Sequence, residues 1–276
     1  NMKIIDCFNY FDEDMMLEIR LATLFDHVDK FVICEATLDH AGNEKKLNFD
    51  INKFKRYEKK IEYIVVDDLP KVVKSFKKHW HTAHARDQFQ RNALLRGLAN
   101  CDPNDIIMIS DLDEIPNPLK IKEFGIKDKL GCFAQANFLT KFNLKNHTVP
   151  LWHGTRICRK KDLKSPQWLR EIKIKKRPFY KFYKPRFDKF IHNGGWHFSS
   201  VKSPEDIYKK LNSYAEQQWN NKNFKNLDII NEKIKLKKDL FDRNYEFKVI
   251  ELNDTFPEYL LQNKDKYKEF IYSVKV

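Results

Sequence analysis

Seven consecutive residues concentrate the chemistry of this chain: Ser110-Asp111-Leu112-Asp113-Glu114-Ile115-Pro116. In extended backbone Asp111 and Asp113 point to one face and Leu112 to the other. Carboxylates that close together repel unless a cation lies between them. Their oxygens are hard ligands suited to Mg²⁺ or Mn²⁺, ions that in turn suit a diphosphate. An acidic turn closed by Pro116 is the plain alternative, because D-x-D by itself arises often by chance. The preceding run gives the motif its weight. Asp105 to Ser110 (DIIMIS) has a core apolar on successive residues, as in a strand buried on both faces of a parallel sheet. Ligands bind at the carboxyl edges of such strands.

A second cluster is Asn193-Gly194-Gly195-Trp196-His197-Phe198-Ser199-Ser200. Its glycines allow close backbone approach or unusual φ angles. His197 is suited to complete a metal shell or to bond a phosphate, although a packed histidine beside Trp196 is the more common case. The basic stretch from Arg170 to Phe190 interleaves Lys and Arg with Phe and Tyr. That mixture suits nucleic-acid strands or sugars stacked on rings, and equally a solvated strand face. His79, His81 and His84 lack the Cys partners or H-E-x-x-H spacing of a zinc site. P-loop, dinucleotide-binding and nucleophile-elbow motifs are also missing from the sequence, so their chemistries lose their usual support.

These residues need a scaffold, and the first half of the chain supplies its pattern. Lys3 to Phe8, Lys30 to Cys34, Glu62 to Val66 and Asp105 to Ser110 read as strands. Glu13 to Phe25, Asn52 to Lys60 and Ala83 to Leu98 read as the helices between them. Such alternation predicts an α/β three-layer sandwich, Rossmann-like. Further strands are expected over Cys132 to Phe142 and Leu151 to Cys158, then C-terminal helices over Pro204 to Trp219, Leu227 to Phe241 and Asn263 to Tyr272. With 276 residues and no linker-like stretch, the chain reads as a single domain, 1–276.

Composition narrows the partners. At 42% hydrophobic and 14% aromatic the chain can bury a core, which excludes intrinsic disorder. A net charge of +13 favours anionic partners: nucleic acid, a phosphate-bearing ligand, or peripheral contact with an anionic membrane. The five cysteines form no C-x-x-C pair, and no signal peptide or apolar run of the ~18 residues a membrane span needs is visible. A cytoplasmic protein is the expectation. Cys7 and Cys34, inside apolar runs, read as small buried hydrophobes.

Taken in order along the chain, the motifs resemble glycosyltransferase family 17, the N-acetylglucosaminyltransferase III-like family, in its soluble bacterial or viral type. The resemblance runs through Asp6-Cys7-Phe8-Asn9, Leu17-Glu18-Ile19-Arg20, Val28 to Glu35, Gly42 and Leu47-Asn48-Phe49. It continues with Gln90-Arg91-Asn92, the D-x-D-E-I-P signature at Asp111 to Pro116, the G-W-H-x-S signature at Gly195 to Ser199, and Pro257 to Leu260. It implies a GT-A type nucleotide-diphosphosugar transferase fold and an inverting transfer from a UDP-sugar, GlcNAc by similarity, to a glycan hydroxyl. Mn²⁺ or Mg²⁺ is the implied cofactor. Around Ser213 to Glu216 the sequence departs from its relatives.

Roles follow from the resemblance and the residue chemistry together. Asp111, Asp113 and His197 are the expected metal ligands, directly or through water. Arg91 and Lys210 are expected on the diphosphate, with Glu35 and Gly42 bordering the nucleotide pocket. Inversion needs a carboxylate to take the acceptor's proton, for which Glu114 and Glu171 are the candidates and Asp188 a third; Glu114 is alternatively a group that orients the metal ligands. Trp152, Trp168 and Trp196 are candidate sugar platforms. The rival class is a nucleic-acid-binding protein or metal-dependent nuclease, ranked lower because no nucleic-acid module is recognisable. A catalytically dead sugar-binding module on the same fold ranks lower still.

Overall fold

The computed structural model describes residues 2–39, 42–70, 80–174, 184–213 and 226–274. Four apolar runs of the first half form parallel strands: β1 (Ile4–Asn9), β2 (Lys30–Ala36), β3 (Ile61–Val66) and β4 (Ile106–Ser110), in the spatial order β3-β2-β1-β4. Parallel neighbours require crossovers. α1 (Asp14–Leu24), a run of 3₁₀ turns over Ile51–Lys60 and α2 (Trp80–Asn92) lie in them. Strands two and three are added to one side of β1, and β4 then returns to the other. The order therefore reverses at β1, and the carboxyl ends of β1 and β4 open a crevice.

Beyond β4 the sheet turns antiparallel through β8 (Leu151–Arg159) and β6 (Leu130–Leu139), and ends on β7 (Leu144–Asn146) and β11 (Phe247–Val249). A short β10 (Gly195–Ser199) runs parallel to β6 and antiparallel to β5 (Glu114–Pro116), while β9 (Lys189–Ile191) pairs with β6. Side-chain alternation splits the core into two layers. Phe8, Ile19, Phe31, Phe133 and Phe198 pack on one face with the C-terminal Phe256, Leu260 and Tyr267. Ile5, Cys7, Val32, Leu94, Ile107, Ile109 and Leu169 pack on the other. The result is the expected α/β three-layer arrangement. Cys7 and Cys34 are fully buried packing residues, and burial pushes the Cys34 thiol up to about 12.

Several expected elements differ in detail. The helix read over Ala83 to Leu98 is α through Asn92 and 3₁₀ over Ala93–Leu98. Asn52 to Lys60 is 3₁₀ rather than α, kinked where Phe54 (φ −118, ψ 23) turns inward to bury its ring. Of the C-terminal helices, α4 (Pro204–Ser213) covers the described part of the segment read to Trp219; residues 214–219 lie outside the described residues. α5 (Leu227–Lys235) stops before Phe241. Lys237 adopts φ 57, and the Lys238 amide donates to the Lys233 carbonyl, a closing turn that a propensity reading misses. Asn263 to Tyr272 is no helix but turns with a 3₁₀ segment over Lys268–Phe270, preceded by α6 (Glu258–Gln262). Tyr267 and Phe270 pack on Phe142, and Tyr267 also bonds Glu18, so tertiary contact fixes this segment over its helical pattern.

Candidate functional site

The acidic turn leaves β4 at the crevice, and every one of its carbonyls is taken. Arg20, fully buried on α1, clasps Asp6 of β1 at 2.8 and 2.7 Å. Its remaining nitrogen donates to the carbonyls of Asp111, Leu112 and Glu114 at 3.1, 3.1 and 2.9 Å. The Asp113 carbonyl accepts from the Phe198 amide of β10 at 2.9 Å. A turn with all its acceptors satisfied by buried donors is held in one shape. Gly195 opens β10 at φ 119, where a Cβ would lie 2.1 Å from the Ile115 carbonyl; only glycine lets β10 come this close to β5. The registers His197↔Glu114 and His197↔Asn137 then set the imidazole beside the acidic turn.

From this turn the carboxylates part company. Asp111 receives Arg170 of α3 (Pro166–Glu171) at 2.9 Å and Arg91 of α2 at 3.3 Å. Glu114, buried, is gripped by the same Arg170 at 2.7 and 2.9 Å, accepts from the Trp152 indole at 2.7 Å and takes the Asp111 amide at 2.9 Å. Burial opposes charge on Asp111, yet Arg170 and then Arg91 outweigh it and hold the carboxyl well below its usual range. Against burial, Arg170 likewise keeps Glu114 low. Among the described residues no arginine reaches Asp113. Burial pushes its carboxyl above the usual range, with His197 and Lys210 offsetting only part of the rise.

His197 faces Asp113, Nε2 to Oδ2, at 3.8 Å, and its Nδ1 faces the Asn137 Oδ1 at 3.0 Å. The Asn137 amide donates its own N–H to the Val149 carbonyl, which fixes the oxygen toward the ring. An oxygen can only accept, so Nδ1 donates to it, and Nε2 is the ring nitrogen turned toward Asp113. The indole of Trp152 stacks on the imidazole, 4.6 Å between centroids.

A cavity of about 490 Å³ occupies the crevice. Asp111, Asp113, His197, Arg91 and Lys210 line it, with residues 9–13 from the end of β1. Lys202, also on its wall, bonds Asp12 and Glu13 at 2.9 and 3.1 Å, and Lys210 lies 4.0 Å from Glu13. Burial opposes both charges, but Lys202 and Lys210 bring Glu13 down to about 2, and Glu13 with Asp113 keeps Lys210 protonated.

Glu35, Gly42, Glu171, Asp188, Trp168 and Trp196 do not line this cavity. Glu35 is fully buried and its oxygens accept from Lys45, the amides of Asn48 and Phe49, and the Tyr63 hydroxyl; it anchors the 45–49 loop. Gly42, at φ 92, lies against the Arg86 guanidinium, 2.5 Å from where a Cβ would be. Glu171 is exposed and accepts from Gln88 and Gln167. Asp188 caps the start of β6 by accepting the Lys129 and Leu130 amides. Trp196 is buried with its N–H on the Thr255 carbonyl, and Trp168 is half-buried beside Lys164; of the three tryptophans, Trp152 stands in contact with the site. Of the histidine group, His84 lines the cavity, and His79 lies outside the described residues, as does 175–183 of the basic stretch.

Arg20, Arg170 and Asn137 carry the site and were not singled out from the sequence. Arg20 had a signal: a lone arginine between Ile19 and Leu21 on a helix whose neighbours Leu17 and Leu24 are apolar. Arg170 was hidden at the start of the basic stretch.

Among the described residues, no three carboxylate, imidazole or thiol groups converge as a ready-made metal cluster. The Asp113–His197 pair nevertheless fits a divalent ion. Two donors with bonds of about 2.1 Å to one ion lie roughly 3 to 4.2 Å apart, and the observed 3.8 Å falls in that span. The outer nitrogen of His197 is already oriented by Asn137, as metal-bound histidines require. Both Asp111 oxygens, by contrast, are held by guanidinium groups.

An acidic turn stands at the switch point of an α/β sheet, with cationic side chains facing it across a cavity, an arrangement that suits an anionic, phosphate-bearing ligand. The family model for glycosyltransferase family 17 matches residues 1–272. The chain belongs to this family. It is 26% identical over 237 residues to the human and rat β-1,4-mannosyl-glycoprotein 4-β-N-acetylglucosaminyltransferases, an alignment covering 76% of this chain. The alignment takes in 42% of those relatives' length. A crystal structure of the galactosyltransferase LgtC with donor and acceptor sugar analogues aligns over 60% of both chains at 13% identity, with a TM-score of 0.29.

Proposed function

We propose that this chain is a metal-dependent inverting glycosyltransferase of GT-A type that moves a sugar, GlcNAc by family resemblance, from a UDP-sugar to a glycan hydroxyl. The observation that carries the reading is the Asp113–His197 pair, pre-oriented and lacking an arginine, beside an Asp111 already neutralised by two. Asp113 and His197 would hold Mn²⁺ or Mg²⁺, with Asp111 contributing through water; the ion would supply charge neutralisation at the departing diphosphate.

The chain's own groups do the rest. Arg91 and Lys210 line the cavity and are placed to hold phosphate oxygens. Lys202 and Lys210 now face Asp12 and Glu13, so an incoming diphosphate exchanges one set of anionic partners for another. Arg170 fixes Asp111 against Glu114 and keeps the acidic turn rigid. Trp152, 39% exposed with its indole N–H tied to Glu114, offers a ring face for the acceptor sugar. Glu114 spends both oxygens on Arg170 and Trp152 and serves as a positioning group. Glu171 lies off the cavity, so the cavity-lining Asp87 and Asp206 become the candidates for the carboxylate that takes the acceptor's proton.

A donor panel tests the reading. UDP-, GDP-, CMP- and dTDP-sugars are incubated with Mn²⁺ or EDTA, and release of free nucleotide is recorded. The expected result is Mn²⁺-dependent release of UDP. If none is released, and none of the four shifts the melting temperature, the transferase reading fails.

A further inference from the structure

The two ends of the sheet are built differently. One end is β11, three residues long, with Lys248 exposed at its centre. Short strands and exposed lysines are the usual means of blocking an open edge. The other end is β3, Ile61-Glu62-Tyr63-Ile64-Val65-Val66, a run rich in β-branched and aromatic residues without Pro or Gly. It pairs with β2 in one unbroken register, and among the described residues no strand lies beyond it. Its single charge, Glu62, is tied back to Lys30 of β2 at 2.7 Å, and Val65 is 37% exposed. The Thr37 amide donates to the Val66 carbonyl, so Val66 faces β2. Backbone groups of a strand alternate in direction, so Glu62 and Ile64 face β2 too, while Ile61, Tyr63 and Val65 turn theirs outward. The Ile61 amide is spent on the Glu58 carbonyl. The outward amides of Tyr63 and Val65 and the outward carbonyls point to the open side.

An edge of this kind accepts another strand, and the residues that flank it say which. Lys59 precedes β3 and Asp67 follows it, both exposed. An antiparallel copy of the same strand brings outward residues opposite one another: Tyr63 against its own copy, Ile61 against Val65 and, beyond the ends, Lys59 against Asp67. A strand with a cation at one end and an anion at the other is complementary to itself reversed. We propose that two copies of this chain associate edge to edge along β3, about a two-fold axis at Tyr63, to form one continuous sheet. In that pair Tyr63 exchanges both backbone bonds with its copy, and the Val65 amide donates to the Ile61 carbonyl of the second copy. The two-fold reverses the strands, so the crevices at the carboxyl ends of β1 and β4 open toward opposite ends of the shared sheet. A strand pair is a small contact and the net charge of +13 opposes it, so the dissociation constant is expected on the order of 10 µM.

The test is sedimentation equilibrium of the full chain from about 1 to 100 µM, on the wild type and on variants of β3 and its flanks. The wild type should show a monomer–dimer equilibrium. Val65→Pro removes one outward amide and leaves the pairing with β2 untouched, so it should weaken association at least about tenfold. Lys59→Asp or Asp67→Lys alone sets like charges opposite each other at both ends of the pair and should weaken it about tenfold. The two changes together restore opposite charges and should return the affinity to within about threefold of wild type. Melting temperatures of the charge variants, taken where the chain is monomeric, should stay within about 2 °C of wild type. A wild type that is monomeric throughout overturns the proposal, and so does a dimer that none of the variants weakens. A double variant as weak as the single ones overturns the antiparallel register. If Val65→Pro does not fold, the three charge variants decide alone.

Discussion

Asp111 and Asp113 are two residues apart on one turn, and the two sides of the site treat them in opposite ways. On the Asp111 side, Arg91 and Arg170 close over the carboxylate and over Glu114 behind it. On the Asp113 side stand one imidazole at 3.8 Å and a lysine shared with Glu13. One carboxylate is held low by guanidinium groups, and the other is pushed up by burial. The contrast teaches that a D-x-D motif need not be a symmetric pair of ligands. Here the arginine-clamped half builds the wall, and the open half is the one to which the proposed function assigns the ion.

Breaking the clamped half should cost the most stability. Arg20→Met strands Asp6, and Arg170→Met strands Glu114, each as a buried charge; about 3–5 kcal/mol of unfolding free energy should be lost in denaturant melts. On the open half, Asp113→Ala should lower kcat/KM roughly 10³-fold with the melting curve little changed. If Asp113→Ala unfolds the protein, or turns over like wild type, the division of labour is wrong. Asn137→Ala frees the His197 ring and should weaken Mn²⁺ dependence by about 10- to 100-fold in apparent metal affinity, without the stability loss of the arginine variants. Glu13 sharpens the comparison through pH. Its carboxyl lies at about 2 in the folded chain, below the 4.5 of an unperturbed glutamate, so its stabilising contribution is complete above 4.5 and lost as pH falls toward 2. Glu13→Gln should flatten that acid limb of an equilibrium melt. The smallest effect belongs to Glu171→Gln, expected to change turnover less than about twofold, because this exposed group touches neither half.

The parallel half of the fold was legible because its strands are apolar on both faces and its crossovers are charged or amphipathic. The acidic turn was legible for the same reason: it follows the most apolar strand. What spacing does not encode is contact across the chain. Arg170 reaches Asp111 over 59 positions and Arg20 reaches the same turn over 91, from opposite directions in sequence. Asn137 looks like any strand residue until β10 is laid beside β6. Glu35 shows the converse. A buried carboxylate at a strand end suits a ligand contact, but a loop 10 to 14 residues later fills its acceptors first.

The buried Arg20 has a consequence for how this protein fails in a cell. Because one guanidinium joins Asp6 at the centre of the sheet to three carbonyls of the acidic turn, the turn cannot loosen without exposing a charge at the heart of the domain. Damage there would send the chain toward the unfolded pool, where proteases remove it. The population of folded molecules with a misshapen acidic turn is thereby kept small.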